Sequence, residues 1–348
     1  LKQADIALPV DPGNPKGKLI TINDLQGEMY LPDKNTVEAR EIKGLLAGVH
    51  ITVDARLWSE TANQDSTTPD LKKKRTDRLK FISKILEELE QWQWPIDTPP
   101  NIKLYIEANT DKPETARLDF IIRAPEITRN GSTLYDVEID GDYNNHIITL
   151  DKISLRDSAG KIDSKASYHP ATKTAKFEAQ STLHLQMLCR QLFGISVMNQ
   201  LTFSTPPTLS CTGTVRLSSG SPPETMITGQ ISVSDFSFLG SRFEKLETDF
   251  SSHNRDVFLT RLHATHSKGE LKGRILLKDE SIQYEADSTL PASSYTPFLN
   301  ESGIGKALEN ALFHDDSSIH IKARGTMNRH RLTQWEADGY AKINNFSY

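Results

Sequence analysis

The sequence predicts a mainly β fold, α+β overall: a long curved antiparallel β-sheet or groove, built from tandem modules of about 110 residues with one amphipathic helix each. Three observations predict it. The word "FEAQSTL" at 177–183 returns as "YEADSTL" at 284–290, with five of seven positions identical at an offset of 107. Long stretches alternate apolar and polar residues, the pattern of half-buried strands. Each round of strands then closes on a stretch with helical apolar spacing.

The elements follow in order. Residues 1–97 read as an incomplete first module, in which a polar insertion at 58–76 stands where other copies place the "YEADSTL"-type strand. A helix is expected over 77–94, with Phe81, Ile82, Ile85, Leu86, Leu89 and Trp92 on one stripe and Pro95 ending it. The second module, 98–204, opens on "TPPNIKLYIEA", and the third, 205–316, on "TPPTLSCTGTV". Six strands are expected in the third: 209–217, 226–238, 243–251, 257–265, 270–278 and 281–290. The stretches "LHLQMLCRQLFGISVMNQL" and "YTPFLNESGIGKALENALF" occupy the helix slot of these two copies. A further module starts at 317–348, where "GYAKINNFSY" repeats the "GQISVSDFSF" of 229–238.

Within each first strand one face is apolar. It holds Ile102, Leu104, Ile106 and Ala108, then Leu209, Cys211, Gly213 and Val215, then Ile319, Ile321, Ala323 and Gly325. Lys103, Glu107, Thr212, Arg216, His320, Lys322 and Arg324 take the other. Cys211 aligns with Leu104 and Ile321, which gives it an apolar structural role.

The net charge of −5 and the mixed signs along the chain argue against nucleic acid as the main partner. The basic cluster Lys72-Lys73-Lys74-Arg75 sits in the polar insertion and reads as a solvated loop. Two cysteines, Cys189 and Cys211, show no metal spacing.

A sheet of about 17 strands has to curl, and about three helices of four turns cover only part of its apolar face. The remainder needs a cover, and an acyl chain is a fitting one. The candidate lipid-facing residues are Leu104, Ile106, Phe177, Ala179, Val215, Ile231, Val233, Tyr284, Ala286, Ile319, Ile321 and Ile343. Small residues on that face (Ala108, Gly213, Ala286, Ala323, Gly325, Gly339 and Ala341) suit either an open trough or a packed interior.

The pattern F-x-x-L-x-x-x-F…L-x-x-L-x-A-x-x-x-x-G-x-L-x-G is carried by Phe243, Leu246, Phe250, Leu259, Leu262, Ala264, Gly269, Leu271 and Gly273. With the "TPP" strand openings and the preceding helix, it resembles the AsmA-like superfamily of bacterial envelope proteins, the TamB- and YhdP-type proteins among them. The resemblance implies a periplasmic lipid-transfer groove of the cell envelope. Such a groove is anchored upstream in the inner membrane and conducts phospholipids toward the outer membrane in outer-membrane biogenesis. It implies no catalytic residue, cofactor or metal, and a monomer whose partner is phospholipid or another acyl-chain lipid. This chain departs from it in the insertion at 58–76 and in carrying no anchor segment.

Sharper sites read as structure. "DGDYNNH" (140–146) offers Asp140, Asp142 and Asn144, but Asn145 stands where a calcium loop needs glycine, so a hairpin turn is expected. His314, Asp315, Asp316 and His320 gather at a helix-to-strand junction, where polar groups satisfy free backbone. "SGIGKAL" (302–308) lacks phosphate-loop spacing, and no nucleophile or zinc motif occurs, so an enzyme is not expected. The alternative is a repetitive structural or adhesive module whose apolar face is packed internally and binds no ligand.

Overall fold

The computed structural model describes residues 3–9, 19–60, 87–129, 131–183, 201–218, 222–238, 240–278, 281–291, 294–295, 312–328 and 335–347. These are almost entirely strand, as the alternation predicts. The chain divides into two compact units, Leu1–Ser158 with Asp163–Thr172, and Ala159–Ile162 with Lys173–Tyr348.

Unit 1 holds β1 (Ala4–Pro9), β2 (Leu19–Asp33), β3 (Thr36–Leu46), β4 (Val49–Trp58), β5 (Asn101–Asn109), β6 (Arg117–Arg129), β7 (Ser132–Asn144) and β8 (Ile147–Arg156), with most of β9 (Lys161–His169). Neighbours from β1 to β4 and from β5 to β8 pair antiparallel. The β4–β5 pair is parallel, with His50 beside Asn101 and Trp58 beside Asn109.

Unit 2 holds β10 (Thr174–Ser181), β11 (Leu201–Phe203), β12 (Thr208–Arg216), β13 (Glu224–Phe238), β14 (Ser241–His253), β15 (Asp256–His266), β16 (Gly269–Lys278), β17 (Ser281–Ser288), β18 (Leu312–Asn328) and β19 (Trp335–Ser347). From β12 to β19 each strand pairs antiparallel with the next; β10 pairs antiparallel with β12, and β11 with β13. The six expected strands of 205–316 are β12–β17, displaced by at most two residues at either end.

The strand starts 101, 117, 132, 147, 161 and 174 recur as 208, 224, 241, 256, 269 and 281. The parallel β4–β5 pair is the exception in this succession. Gly48 opens β4 as Gly160 opens β9 and Gly269 opens β16, so β4 matches a fifth strand of six. No described strand fills the sixth place before β5, and the direction of pairing reverses.

Turns and bulges are set by left-handed residues. Ala47-Gly48 and Asn145-His146 have positive φ at both central positions (50° and 80°, 50° and 62°), the two-residue turn that matches strand twist. Asp24, Glu41, Asp136, Asp235 and Arg261 are left-handed within strands, with φ of 48–52°. Register shifts fall at or beside Glu41, Asp136 and Arg261. A carboxylate on the neighbouring strand can receive the displaced amide: Glu41 N donates to Asp54 Oδ1 at 2.9 Å, and Asp24 N to Asp5 Oδ1 at 3.0 Å. Each bulge turns the inward set by one residue, from Val257 and Leu259 to Leu262 and Ala264 on β15.

Three expectations change at their edges. Of the helix expected over 77–94, residues 87–89 are helical, but Gln93 bridges to Thr128 in extended form, and Trp94, the residue directly before Pro95, is the one that the proline keeps out of the helical region. Leu201, placed at the end of a helical stretch, belongs to β11. The further module's first strand, β18, begins at Leu312 rather than 317. Residues 77–86, 184–200 (with Cys189) and 296–311 (with "SGIGKAL") of the three helical stretches, and most of the insertion at 58–76, lie outside the described residues.

Candidate apolar site on the inner faces

In unit 1 the strand registers assemble apolar rows. Ile51, Ile102, Ile122, Ile139 and Ile153 stand side by side across five strands. Beside them run Ile42, Val53, Leu104, Phe120, Gly141 and Leu150, and then Ala39, Ala55, Ile106, Leu118, Tyr143 and Ile148. Leu104 and Ile106 thus sit in the middle of this face, half-buried. Full burial of apolar residues on this face comes toward one end, at Val49 (1% exposed), Pro100, Ala124 and Val137. There Trp94 lies 3.4 Å from the place a side chain on Gly48 would take.

Unit 2 repeats the arrangement on a larger scale. One row runs Phe177, Gly213, Ile227, Ser252, Val257, Leu277, Ile282 and Met327. The next runs Ala179, Cys211, Gly229, Phe250, Leu259, Ile275, Tyr284 and Gly325. Ile231 stands opposite Leu209, Val233 opposite Leu246, Ala286 between Gly273 and Ala323, and Ile319 opposite Ile343. All ten candidates in this unit therefore face inward. Val233 and Ile319 are buried, and Phe177, Ala179, Val215, Ile231, Tyr284, Ala286, Ile321 and Ile343 are half-buried. Burial pushes the Tyr284 phenol and the Cys211 thiol above their ordinary values, which fits an apolar setting for both.

Cys211 pairs with Gly229, and Gly339, the repeat partner of Gly229, pairs with Ala323. The register thus equates Cys211 with Ala323 rather than Ile321, a shift of two that leaves the face unchanged.

One end of this face is closed by a cluster of Val233, Phe236, Phe243, Ala264 and Leu290, with Phe203, Leu246, Leu271 and Tyr295 packed on it. The rings of Phe236 and Phe243 stack at 5.0 Å. The repeated word "STL" lies here and has a structural meaning. Ser181 and Ser288 are buried, and each hydroxyl accepts the amide of the leucine two residues on, Leu183 at 3.1 Å and Leu290 at 3.4 Å. Thr182 N donates to the Lys161 carbonyl at 2.7 Å while its Oγ1 receives Lys161 N at 3.0 Å. Thr289 does the same with Glu270, at 2.8 and 3.1 Å. Beside each clasp stands a glycine, Gly160 or Gly269, where a Cβ would collide with the threonine carbonyl oxygen. Leu183 and Leu290, each 5% exposed, plug the end.

The outer faces carry charge. Arg123 pairs with Glu138 and with Asp140 at 2.6 Å, Arg274 with Glu285 at 2.6 Å, and His320 with Asp287 at 2.8 Å. Such exposed pairs are worth little individually; their effect is to keep this side in water. The "DGDYNNH" segment is the β7–β8 hairpin, with Asn144 opposite Ile147. Among the described residues no group of three metal-ligating side chains converges. The side chains of His314, Asp315 and Asp316 lie outside the description.

Sequence reasoning missed the bulges, Trp94 at the closed end of unit 1, and the rings that lie over glycines. Phe177 covers Gly213, and Phe250 covers Gly229 with its Cε1 2.7 Å from a would-be Cβ. Spacings of three such as Leu259-x-x-Leu262 were the available signal for the bulges. Compared with protein-family models, with curated proteins and with solved structures, the chain matches none.

Proposed function

We propose that the chain is a lipid-binding groove protein of the bacterial cell envelope, periplasmic and of the AsmA-like type, and that it acts without catalysis. The observation that carries this reading is the set of apolar rows, interrupted in unit 2 by Ser252, half-buried over most of each inner face and backed by a charged outer face. Carrying an acyl chain through water costs about 0.8 kcal/mol per CH₂, on the order of 12 kcal/mol for a 16-carbon tail. An apolar lining removes that cost while head groups stay in water, and it needs length rather than reactive groups. The parent would hold to the inner membrane by an upstream anchor and pass phospholipid toward the outer membrane as a monomer.

The test is native mass spectrometry with lipid extraction on protein purified without detergent. Co-purified phospholipid is expected, lost in Ile231→Asp and Ile321→Asp and kept in the outer-face variant Thr228→Asp. A lipid-free protein that also excludes added fluorescent phospholipid would sink the proposal and leave an internally packed structural module in its place.

A further inference from the structure

Four aromatic side chains of the inner faces stand directly opposite a glycine: Phe120 opposite Gly141, Phe177 opposite Gly213, Phe250 opposite Gly229 and Tyr284 opposite Gly325. Each leans across the sheet onto the neighbouring strand. A Cβ on Gly141 would come within 2.9 Å of Phe120 Cζ, one on Gly213 within 2.6 Å of Phe177 Cε1 and Cζ, and one on Gly229 within 2.7 Å of Phe250 Cε1. Tyr284 reaches past Gly325, and its hydroxyl donates to the Glu336 carbonyl on β19 at 3.4 Å.

The pairs follow the repeat in two ways. A single offset carries Phe120 to Gly229 and Gly141 to Phe250, so ring and glycine exchange strands and remain opposite. The other two keep their order: Phe177 with Gly213 and Tyr284 with Gly325 each join the sixth strand of one round to the first of the next. What is retained is one ring laid over one missing side chain, whichever strand supplies which. Glycine inside a strand weakens it and marks a place of close approach. At Gly141, Gly229 and Gly325 a backbone carbonyl oxygen within 2.3 Å of the added Cβ would itself forbid a side chain. At Gly213 the nearest atoms are all side chain, the Phe177 ring and Ile227 Cγ1, so the ring requires the glycine there. Phe120, Phe177 and Tyr284 are half-buried, and Phe250 is buried.

Resting on the groove reading proposed above, we infer that these leaning rings fix the width of tail that the inner face accepts, and that Phe177 over Gly213 is a specificity-determining pair for the acyl chain. An upright ring would project into the path along the row. Laid over glycine, it leaves room for an unbranched tail and none for a broader one. A methyl group on Gly213 lifts the ring and narrows the path, and loss of the ring widens it.

Native mass spectrometry of the whole chain tests this against an equimolar mixture of two phosphatidylethanolamines, one with saturated unbranched tails and one whose second tail ends in pyrene. Gly213→Ala is expected to shift the preference toward the unbranched lipid by roughly tenfold, the discrimination that one methyl group gives in an apolar pocket. Phe177→Ala is expected to shift it the other way. The exchanged pair, Phe177→Gly with Gly213→Phe, copies the exchange between Phe120–Gly141 and Gly229–Phe250 and is expected to restore the wild-type ratio. A purely structural pair would lower the melting temperature and leave the ratio unmoved. An unmoved ratio in Phe177→Ala would overturn the assignment while lipid binding stands, and this variant decides the matter if Gly213→Ala fails to fold. A wild-type chain that takes up neither lipid would overturn it together with the groove reading.

Discussion

At the scale of single residues, the repeated "STL" word shows how a short sequence specifies a join. The serine closes a local turn onto the leucine amide, the threonine ties the strand end to the start of the preceding strand, and glycine leaves room for the threonine carbonyl. Gly269→Ala is expected to destabilise unit 2 by about 1–3 kcal/mol, because the added methyl must displace backbone. Thr289→Val keeps the shape and removes the hydroxyl's two hydrogen bonds to the Glu270 backbone, so about 1 kcal/mol is expected. Urea midpoints at constant slope measure both. Equal midpoints for the wild type and Gly269→Ala would contradict the clasp. The apolar faces were legible at this scale, since Leu209, Cys211, Gly213 and Val215 alternate as a strand must. The glycine beneath Phe250 was not, because only the register brings Gly229 under that ring.

At the scale of elements, hairpins were readable from turn residues, while bulges were hidden. Asp24, Glu41, Asp136 and Arg261 adopt a backbone that glycine favours, so their identities give no warning; a carboxylate on the neighbouring strand, as at Glu41 and Asp24, supplies the compensation. The β7–β8 turn offers a test of this reasoning. His146 holds φ of 62° with a full side chain, and asparagine-glycine is the preferred pair there. His146→Gly should therefore raise stability by about 0.5–1 kcal/mol, seen as a higher melting temperature. A lower melting temperature would show that the imidazole matters more than the backbone, for instance through its contact with Tyr143. The parallel β4–β5 pair was not foreseen from sequence. The missing sixth strand was anticipated, but its effect on direction follows only once β4 is matched to β9 and β16.

At the scale of the whole molecule, stability should be uneven within each unit. In unit 1 Val49, Ala124 and Val137 gather the apolar burial toward one end, whereas unit 2 is buried toward both, by Val233, Phe243, Ala264 and Leu290 at one and by Val257, Leu277 and Ile282 at the other. Native-state hydrogen exchange is expected to be slowest there and fastest along β1 and β19, whose residues are largely exposed. Uniform protection along every strand would mean that the inner faces are packed throughout, which would also count against a lipid-accessible groove.

The reversal at β4 has one more consequence, a matter of parity. Six strands return a chain to the side on which it set out, so the step from β10 to β12 joins neighbouring ends. A module that stops at its fifth place, as the match of β4 to β9 and β16 implies, leaves it on the far side. Trp58, where β4 ends, and Asn101, where β5 begins, therefore stand at opposite ends of the parallel pair. Both landings are fastened: Ser59 and the Glu60 amide bind Asp111 at the departure, and His50 N holds the Pro100 carbonyl at 2.9 Å on arrival. Changing the number of strands by one would move an entire connection from one rim to the other, which makes strand count, more than any side chain, the feature that this architecture has to conserve.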